Sequence, residues 1–224
     1  MKKLHIFCLT AALGAFLVSA TGCSRMIDNA YYDMRETLGQ PKRNILVNRV
    51  EEAREDQVEA KEQFSSALEE FRTVLAFDGG ELGEKYDTLD REYKRAKKRA
   101  DEVRDNVDGI KSVAESLFNE WENELDQYQN GSLRRSSEQQ LRESRNRYED
   151  LIRAMDRVVD SMDPVLGAFQ DQVLYLKHNL NAAAIASLEG ELTTIEGDVQ
   201  ALIEEMEASI AEADAFLQNW SGGN

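Results

Sequence analysis

Histidine, cysteine and proline each occur only twice in this sequence of 224 residues. So few histidines and cysteines leave little material for a metal centre or a nucleophilic active site. Few prolines, together with 31% charged residues, are typical of long helices rather than of a sandwich, a barrel or a wound sheet. The glycines at 79, 80 and 83 lack the spacing of a phosphate-binding loop. We therefore expect a protein that is not an enzyme and has neither a cofactor nor a small-molecule substrate.

Residues 1–22 have the pattern of a targeting segment. Two lysines precede an apolar stretch, Leu4–Val18, that is too short for a comfortable transmembrane helix. The next residues, Ala20-Thr21-Gly22-Cys23, resemble a bacterial lipobox, with Ala20 where leucine is usual. The resemblance implies that the Cys23 thiol takes a diacylglyceryl group, that the chain is cut before Cys23, and that the new amine is acylated.

Lipidation also accounts for the unpaired cysteine of the mature chain. The alternative is an ordinary signal peptide cut near Ala20, which would leave Cys23 as a free thiol in an oxidising compartment. Ser24 directly follows Cys23, and a serine at this position resembles the sorting signal of lipoproteins that go to the outer membrane. We therefore expect a lipid-anchored protein that faces the periplasm. Loss of Lys2 and Lys3 changes the net charge from −16 to −18. This charge excludes nucleic acid as a general partner and disfavours broad adhesion to anionic lipid.

Apolar residues recur at alternating steps of four and three along most of the mature chain, which predicts coiled-coil helices. In the first helix the repeat runs from Leu46 to Val74, and in the fourth from Ile185 through Ile210 to Leu217. The predicted helices are about 42–77, 81–129, 136–180 and 183–218. The alternative to a break near residue 181 is one unbroken helix through both final segments. Equal lengths of the first and fourth helices favour the break.

The predicted fold class is all-α: an elongated antiparallel four-helix bundle, or coiled coil, with a protruding central hairpin. The bundle spans residues 42–219, and residues 220–224 form a flexible tail. Residues 23–41 are a lipidated segment with a short amphipathic helix over 26–38. Two placements of that helix remain open: it packs along the hairpin extension, or it lies in the membrane interface with Tyr31 and Tyr32 at headgroup level.

Charge is unevenly distributed along the chain. After Lys177 there are nine acids and no lysine or arginine, whereas residues 91–99 of the second helix carry a basic run. One interpretation is that the acidic flanks of the fourth helix face basic flanks of its neighbours and select the register. The other is an exposed acidic face that binds cations or a basic partner.

The end of the central hairpin combines aromatic and basic residues of the kind that are enriched at binding hot spots. These candidate interaction residues are Trp121, Tyr128, Arg134, Arg135, Arg142, Arg145 and Arg147. Such a patch could meet lipid phosphates, lipopolysaccharide, peptidoglycan carboxylates or an acidic protein. In the alternative, the arginines pair with Glu120, Glu122, Glu124 and Asp126 across the hairpin.

Two stretches, Met162–Leu166 and Phe169–Ala182, with the lipobox and the 44–77 helix, resemble the family called domain of unknown function 2959, small bacterial coiled-coil lipoproteins. The resemblance implies lipid anchoring and helices, and it brings no activity and no site. We expect an envelope spacer or protein-interaction scaffold with an unidentified envelope protein as its partner. The alternative is a membrane-remodelling module, or a helical module that binds the cell wall or lipopolysaccharide non-covalently. A homodimer also remains open.

Overall fold

The structure is a computed structural model that describes residues 31–32, 34–35, 39–75, 82–179, 185 and 188–221. Nearly all of this part of the chain is helical, and it contains no strand. Its four long helices are α1 (Lys42–Leu75), α2 (Leu82–Leu125), α3 (Gly131–His178) and α4 (Leu192–Ser221). The all-α fold class that the sequence predicts is therefore confirmed.

The four helices form a ring around one core. Helix α1 packs against α2 and α4, and α3 packs against the same two helices, so each helix has two neighbours. Short connections join α1 to α2 and α2 to α3, which makes consecutive helices antiparallel. Apolar side chains from all four helices meet in the centre as a single continuous cluster.

The repeat of four and three residues places the buried side chains in α1 as the sequence predicts. All nine positions of its seam, from Leu46 to Val74, are buried. In α4 the predicted seam is wrong at two positions after Met206, where the buried residues are Ser209 and Phe216 rather than Ile210 and Leu217. The alternation from Ile195 onwards continues without a slip, and a small hydroxyl occupies the place where an apolar residue was expected.

Helix α3 begins earlier than the sequence pattern predicts. The predicted start at residue 136 relies on Ser136 and Ser137 as caps, but Asn130 is the N-cap of the helix. The Asn130 side chain accepts hydrogen bonds from the backbone N–H groups of Ser132 at 2.8 Å and Leu133 at 3.3 Å. Helix α2 ends at Leu125 rather than at residue 129, so only residues 126–130 separate the two long helices.

The connection between α3 and α4 also differs from the prediction. Helix α3 ends at His178, where the Asn179 N–H donates to the Leu176 carbonyl at 3.1 Å. Helix α4 begins at Leu192, after a turn at Gly190, rather than at residue 183. It continues to Ser221, and Trp220 is buried, so residue 220 does not belong to a flexible tail. Residues 222–224 lie outside the described part of the chain.

Ion pairs fix the register of α4 against its neighbours. Three of them join α1 to α4: Arg54 with Asp214 at 2.5 Å, Lys61 with Glu207 at 3.2 Å, and Arg72 with Glu196 at 2.6 Å. The spacings of seven and eleven residues are the same on both helices, as one antiparallel register requires. On its other side, α4 pairs with α3 through Glu205 and Arg157. The acidic flanks of α4 thus select its partners.

The basic run of α2 does not take part in this pairing. Helix α2 lies diagonally opposite α4 in the ring, so its cations are satisfied elsewhere. Lys94, Lys97 and Lys98 pair with acids four residues away on α2 itself, and Arg99 pairs with Glu59 of α1. Sequence spacing alone could not identify which basic helix lies beside α4.

Two polar side chains are buried in the centre of the bundle without a hydrogen-bond partner. Gln57 of α1 and Ser209 of α4 are both fully buried, and neither the Gln57 amide nor the Ser209 hydroxyl finds a partner. In the register of the ion pairs they lie at nearly the same level. Such groups lower stability, because burial removes their hydrogen bonds to water.

Replacing Gln57 with leucine should raise the free energy of unfolding by about 1–3 kcal/mol, because it removes an unsatisfied amide and keeps the side-chain volume. Urea unfolding followed by circular dichroism measures the change. Gln63→Leu on the same helix is the matched control, because the Gln63 amide donates to Glu92 at 2.8 Å. We expect the control to lose stability, and a loss of stability in Gln57→Leu would contradict the prediction.

Candidate interaction site at the end of the bundle

The hairpin of α2 and α3 extends beyond the other two helices. Lys42 Nζ at the start of α1 lies 2.9 Å from Glu120 Oε2, and Arg43 donates to the Trp220 carbonyl at 2.7 Å. The start of α1 and the end of α4 therefore both lie beside residue 120 of α2. Helices α2 and α3 continue past this level as a pair, as the sequence predicts. We call residues 126–142 the hairpin tip.

Polar contacts replace the apolar seam inside this extension. Trp121 Nε1 donates to Ser137 Oγ at 2.7 Å, and the Tyr128 hydroxyl lies 3.5 Å from the same oxygen. Leu141 is buried one turn further along α3, whereas Tyr128 remains exposed. Trp121 therefore holds the two arms of the hairpin together, and of the two predicted aromatic residues only Tyr128 is an exposed contact residue.

Three of the five predicted arginines are engaged in ion pairs within the hairpin. They are Arg134 with Asp126 and Glu138 at 3.0 Å each, Arg145 with Glu122, and Arg147 with Glu143 at 3.5 Å. The hydrogen bond from Arg145 lowers the pKa of the Glu122 carboxyl below its ordinary value. Two of these pairs cross the hairpin in the way that the alternative interpretation of the sequence requires.

Arg135 and Arg142 differ from the other three arginines. Both are exposed, and neither has a hydrogen bond or ion pair within the described residues. The Arg135 guanidinium lies beside Gly131: a Cβ atom added to Gly131 would be 3.6 Å from Arg135 Nη1. The predicted basic patch thus consists of two cations that remain available to an external anion.

An aromatic cluster supports the base of the hairpin. The rings of Phe118 and Tyr148 meet edge to face with centroids 5.5 Å apart, and the Arg145 guanidinium lies 5.5 Å from the Phe118 centroid. Burial, with lesser contributions from Asp156 and other nearby acids, raises the pKa of the Tyr148 hydroxyl to about 12.

An alkaline titration should detect this buried hydroxyl. Because the folded-state pKa of Tyr148 lies above its ordinary value of 10.0, its contribution to stability is complete below pH 10 and is lost as the pH rises towards 12. Ultraviolet absorbance should show one tyrosine that ionises late, and Tyr148→Phe should remove that step. Tyr175→Phe, at an exposed tyrosine, should retain it. A late step that survives in Tyr148→Phe would contradict the assignment.

A pocket of about 580 Å³ opens where the hairpin leaves the other two helices. Its lining includes both tryptophans of the chain, Trp121 and Trp220. Its three cations are already engaged: Lys42 with Glu120, Arg43 with the Trp220 carbonyl, and Arg147 with Glu143. Every cation that lines the pocket therefore already has a partner, and none is available to bind an incoming anion.

The segment before α1 folds back towards the bundle at the same end. Tyr32 is only 4% exposed and belongs to the central apolar cluster, whereas Tyr31 and Met34 are exposed. Gly39 has φ of 84°, and the Gln40 N–H donates to the Arg35 carbonyl at 3.1 Å, as in a Schellman helix terminus. Of the two predicted placements of residues 26–38, packing thus applies to Tyr32. Residues 26–30, 33 and 36–38 lie outside the described part.

Cys23 lies outside the described residues, and His178 is exposed in the last turn of α3. Within the described ranges no group of three histidine, cysteine, aspartate or glutamate residues is placed to hold a metal ion. No helix in those ranges is both long enough and apolar enough to cross a bilayer.

Exposed apolar side chains occur at the two ends of the bundle, a feature that periodicity did not reveal. Large exposed apolar residues of the described chain are Tyr31, Met34, Tyr128 and Leu133 at the hairpin end, and Leu174 and Tyr175 at the opposite end. Leu133 was missed because a single leucine after an Asn-Gly turn is no periodic signal. Its neighbours Arg134 and Arg135 are the only clue in the sequence.

Comparison with protein families identifies a match over most of the chain. The family described as Protein of unknown function (DUF2959) matches residues 31–220, which include all four helices. Neither the curated proteins nor the solved structures contain a match to the chain. The description of the matched family names no activity and no site.

Proposed function

We propose that this chain, which belongs to the DUF2959 family of proteins of unknown function, is a non-enzymatic, lipid-anchored protein of the bacterial envelope. In this proposal the mature chain is attached to the outer membrane through Cys23 and faces the periplasm. The bundle serves as a spacer or protein-interaction scaffold and holds its two ends apart.

The observation that carries this proposal is the position of the exposed apolar side chains. In the described chain the large ones lie at the two ends, and the flanks between them present charged and polar residues. A helix of 48 residues such as α3 spans about 72 Å at 1.5 Å per residue. A continuous core along that length favours a stiff rod that makes its contacts at its ends.

The distal end is the candidate surface for a protein partner. Leu174 and Tyr175 are 48% and 40% exposed on the last turns of α3, far from the start of α1. Aromatic and apolar side chains of this kind are enriched at the centres of interfaces. The hairpin end carries the two available arginines and connects to the lipid anchor. This division assigns one end to the membrane side and the other to a partner.

The alternative roles find less support in the charges. A membrane-remodelling module needs a basic face, but five of the six cations in the basic run of α2 pair with acids of α2 or with Glu59. At the hairpin end, non-covalent binding to the cell wall or to lipopolysaccharide would depend on Arg135 and Arg142. The pocket beside the tryptophans has no cation to spare for a wall carboxylate.

Intact mass spectrometry of the native protein tests the anchoring part of the proposal. We expect protein purified from the envelope to begin at Cys23 and to carry a diacylglyceryl group and an amide-linked acyl chain. Light scattering of the detergent-solubilised protein would also distinguish a monomer from a homodimer. A mature chain that begins elsewhere and has no lipid would contradict the proposal.

A further inference from the structure

The hairpin end of the bundle presents apolar and aromatic side chains from two separate segments. Leu133 is 57% exposed and Tyr128 41% exposed on the hairpin tip. Met34 and Tyr31, on the segment before α1, are 56% and 41% exposed at the same end. They are single side chains distributed over one end of the rod. Side chains distributed in this way can contact an extended flat surface such as a bilayer, whereas one pocket on a partner protein would hold only one of them.

The charge of the tip is opposite to that of the rest of the molecule. The hairpin tip, residues 126–142, contains three arginines and two acids, Asp126 and Glu138, and so has a net charge of +1 in a chain of net charge −16. Arg135 and Arg142 have no partner among the described residues, so both are available to phosphate groups. Tyrosine is enriched at the headgroup level of bilayers, where its ring contacts both lipid and water. Arginine side chains also act as anchors at this level.

The tether has the length to bring this end to a bilayer. Only seven residues separate Cys23 from Tyr31, and an extended chain of that length spans at most about 26 Å. Helix α2 continues past Glu120 by five residues to Leu125, or about 8 Å of helix, before the turn at residues 126–130. A membrane that holds a lipid on Cys23 is therefore within reach of the tip.

We propose that the hairpin end lies against the membrane that anchors the chain, with Leu133, Tyr128 and Tyr31 at headgroup level and Arg135 and Arg142 on lipid phosphates. The inference rests on the proposed anchoring through Cys23. The arginines orient a rod that the lipid already holds at the surface, so two cations suffice despite the acidity of the bundle. The distal end, with Leu174 and Tyr175, then points away from the membrane.

Fluorescence of a label at each end tests this orientation. Lipidated protein carrying Leu133→Cys or Leu174→Cys is reconstituted into vesicles of phosphatidylethanolamine and phosphatidylglycerol, and the new thiol receives an environment-sensitive dye. Both sites are exposed leucines on α3, so they form a matched pair. We expect a blue shift and a several-fold rise in emission at position 133 and no change at position 174.

Charge reversal tests the contact with phosphate. Adding Arg135→Glu and Arg142→Glu to the Leu133→Cys protein should abolish most of the rise in dye emission at position 133. Lys85→Glu with Lys177→Glu at the distal end should leave it intact. The inference would be overturned if the dye emission rises at both labelled positions or does not rise at position 133. It would also be overturned if the rise at position 133 survives the arginine reversals. A crosslink from position 133 to a protein in place of lipid would also overturn it.

The same experiment separates failure of the anchor from failure of the orientation. In lipidated protein the Cys23 sulfur is a thioether, so the wild-type chain should take up no thiol dye. One dye per wild-type chain would show that Cys23 is not lipidated, and the proposed function would fail before the orientation is measured. Unfolding curves of each variant verify that the bundle is intact.

Discussion

Replacing Cys23 with serine should remove the lipid completely and displace the protein from the outer membrane. A serine hydroxyl does not take the diacylglyceryl thioether, and the peptidase that cuts before a lipidated cysteine then has no substrate. Each buried methylene of an acyl chain contributes about 0.8 kcal/mol to anchoring, so loss of all the chains is a large effect. We expect an uncut chain that begins at Met1 and is absent from the outer-membrane fraction.

Cys8→Ser is the matched control for this change. Cys8 lies within the apolar stretch of the expected signal peptide and leaves with it, so its loss should alter neither the mass of the mature protein nor its fractionation. Density-gradient fractionation and intact mass spectrometry read out both variants. Cys23→Ser protein that remains in the outer membrane and differs in mass from the wild type only by the exchange of sulfur for oxygen would contradict lipidation at Cys23.

Replacing Phe64 with alanine should cost the bundle about 3–5 kcal/mol, the range for a large aromatic side chain removed from a packed core. Phe64 is fully buried in the seam of α1 and belongs to the central cluster. Domains of this kind have total stabilities of about 5–15 kcal/mol, so the variant should unfold at much lower temperature and urea concentration.

Ser65→Ala tests the same stretch of α1 on its exposed side. The Ser65 hydroxyl donates only to the Lys61 carbonyl of its own helix, and surface changes of this kind usually stay within about 0.5 kcal/mol. Urea unfolding followed by circular dichroism measures both variants. A cost below about 1 kcal/mol for Phe64→Ala would mean that α1 does not pack into the core as described.

The sequence was sufficient to predict helices and seams wherever the apolar repeat is strict. The nine predicted seam positions of α1, from Leu46 to Val74, are all buried, and Gln57 is among them although its side chain is polar. In α4 the prediction followed residue chemistry instead of the repeat and chose Ile210 over Ser209. The repeat was the better guide, because the register of a coiled coil is set by the whole length of the helix.

Contacts between helices could not be read from spacing. The sequence predicts that the acids of the last helix face basic flanks of its neighbours, but it does not identify those neighbours, which are α1 and α3. At the tip, Arg134 and Arg135 are adjacent in sequence, yet only Arg134 reaches a carboxylate. The start of α3 at the Asn130 cap decides which of the two arginines reaches a carboxylate. The sequence pattern predicted a later start, at residue 136.

Photo-crosslinking in living cells is the measurement that tests the account most directly. A photoreactive residue at position 174 of the lipidated chain should capture a defined envelope protein, which mass spectrometry then identifies. The same residue at position 66, on an exposed flank of α1, should capture no defined partner. Equal capture at both positions, or capture of cytoplasmic proteins alone, would contradict an envelope scaffold that makes its contacts at its ends.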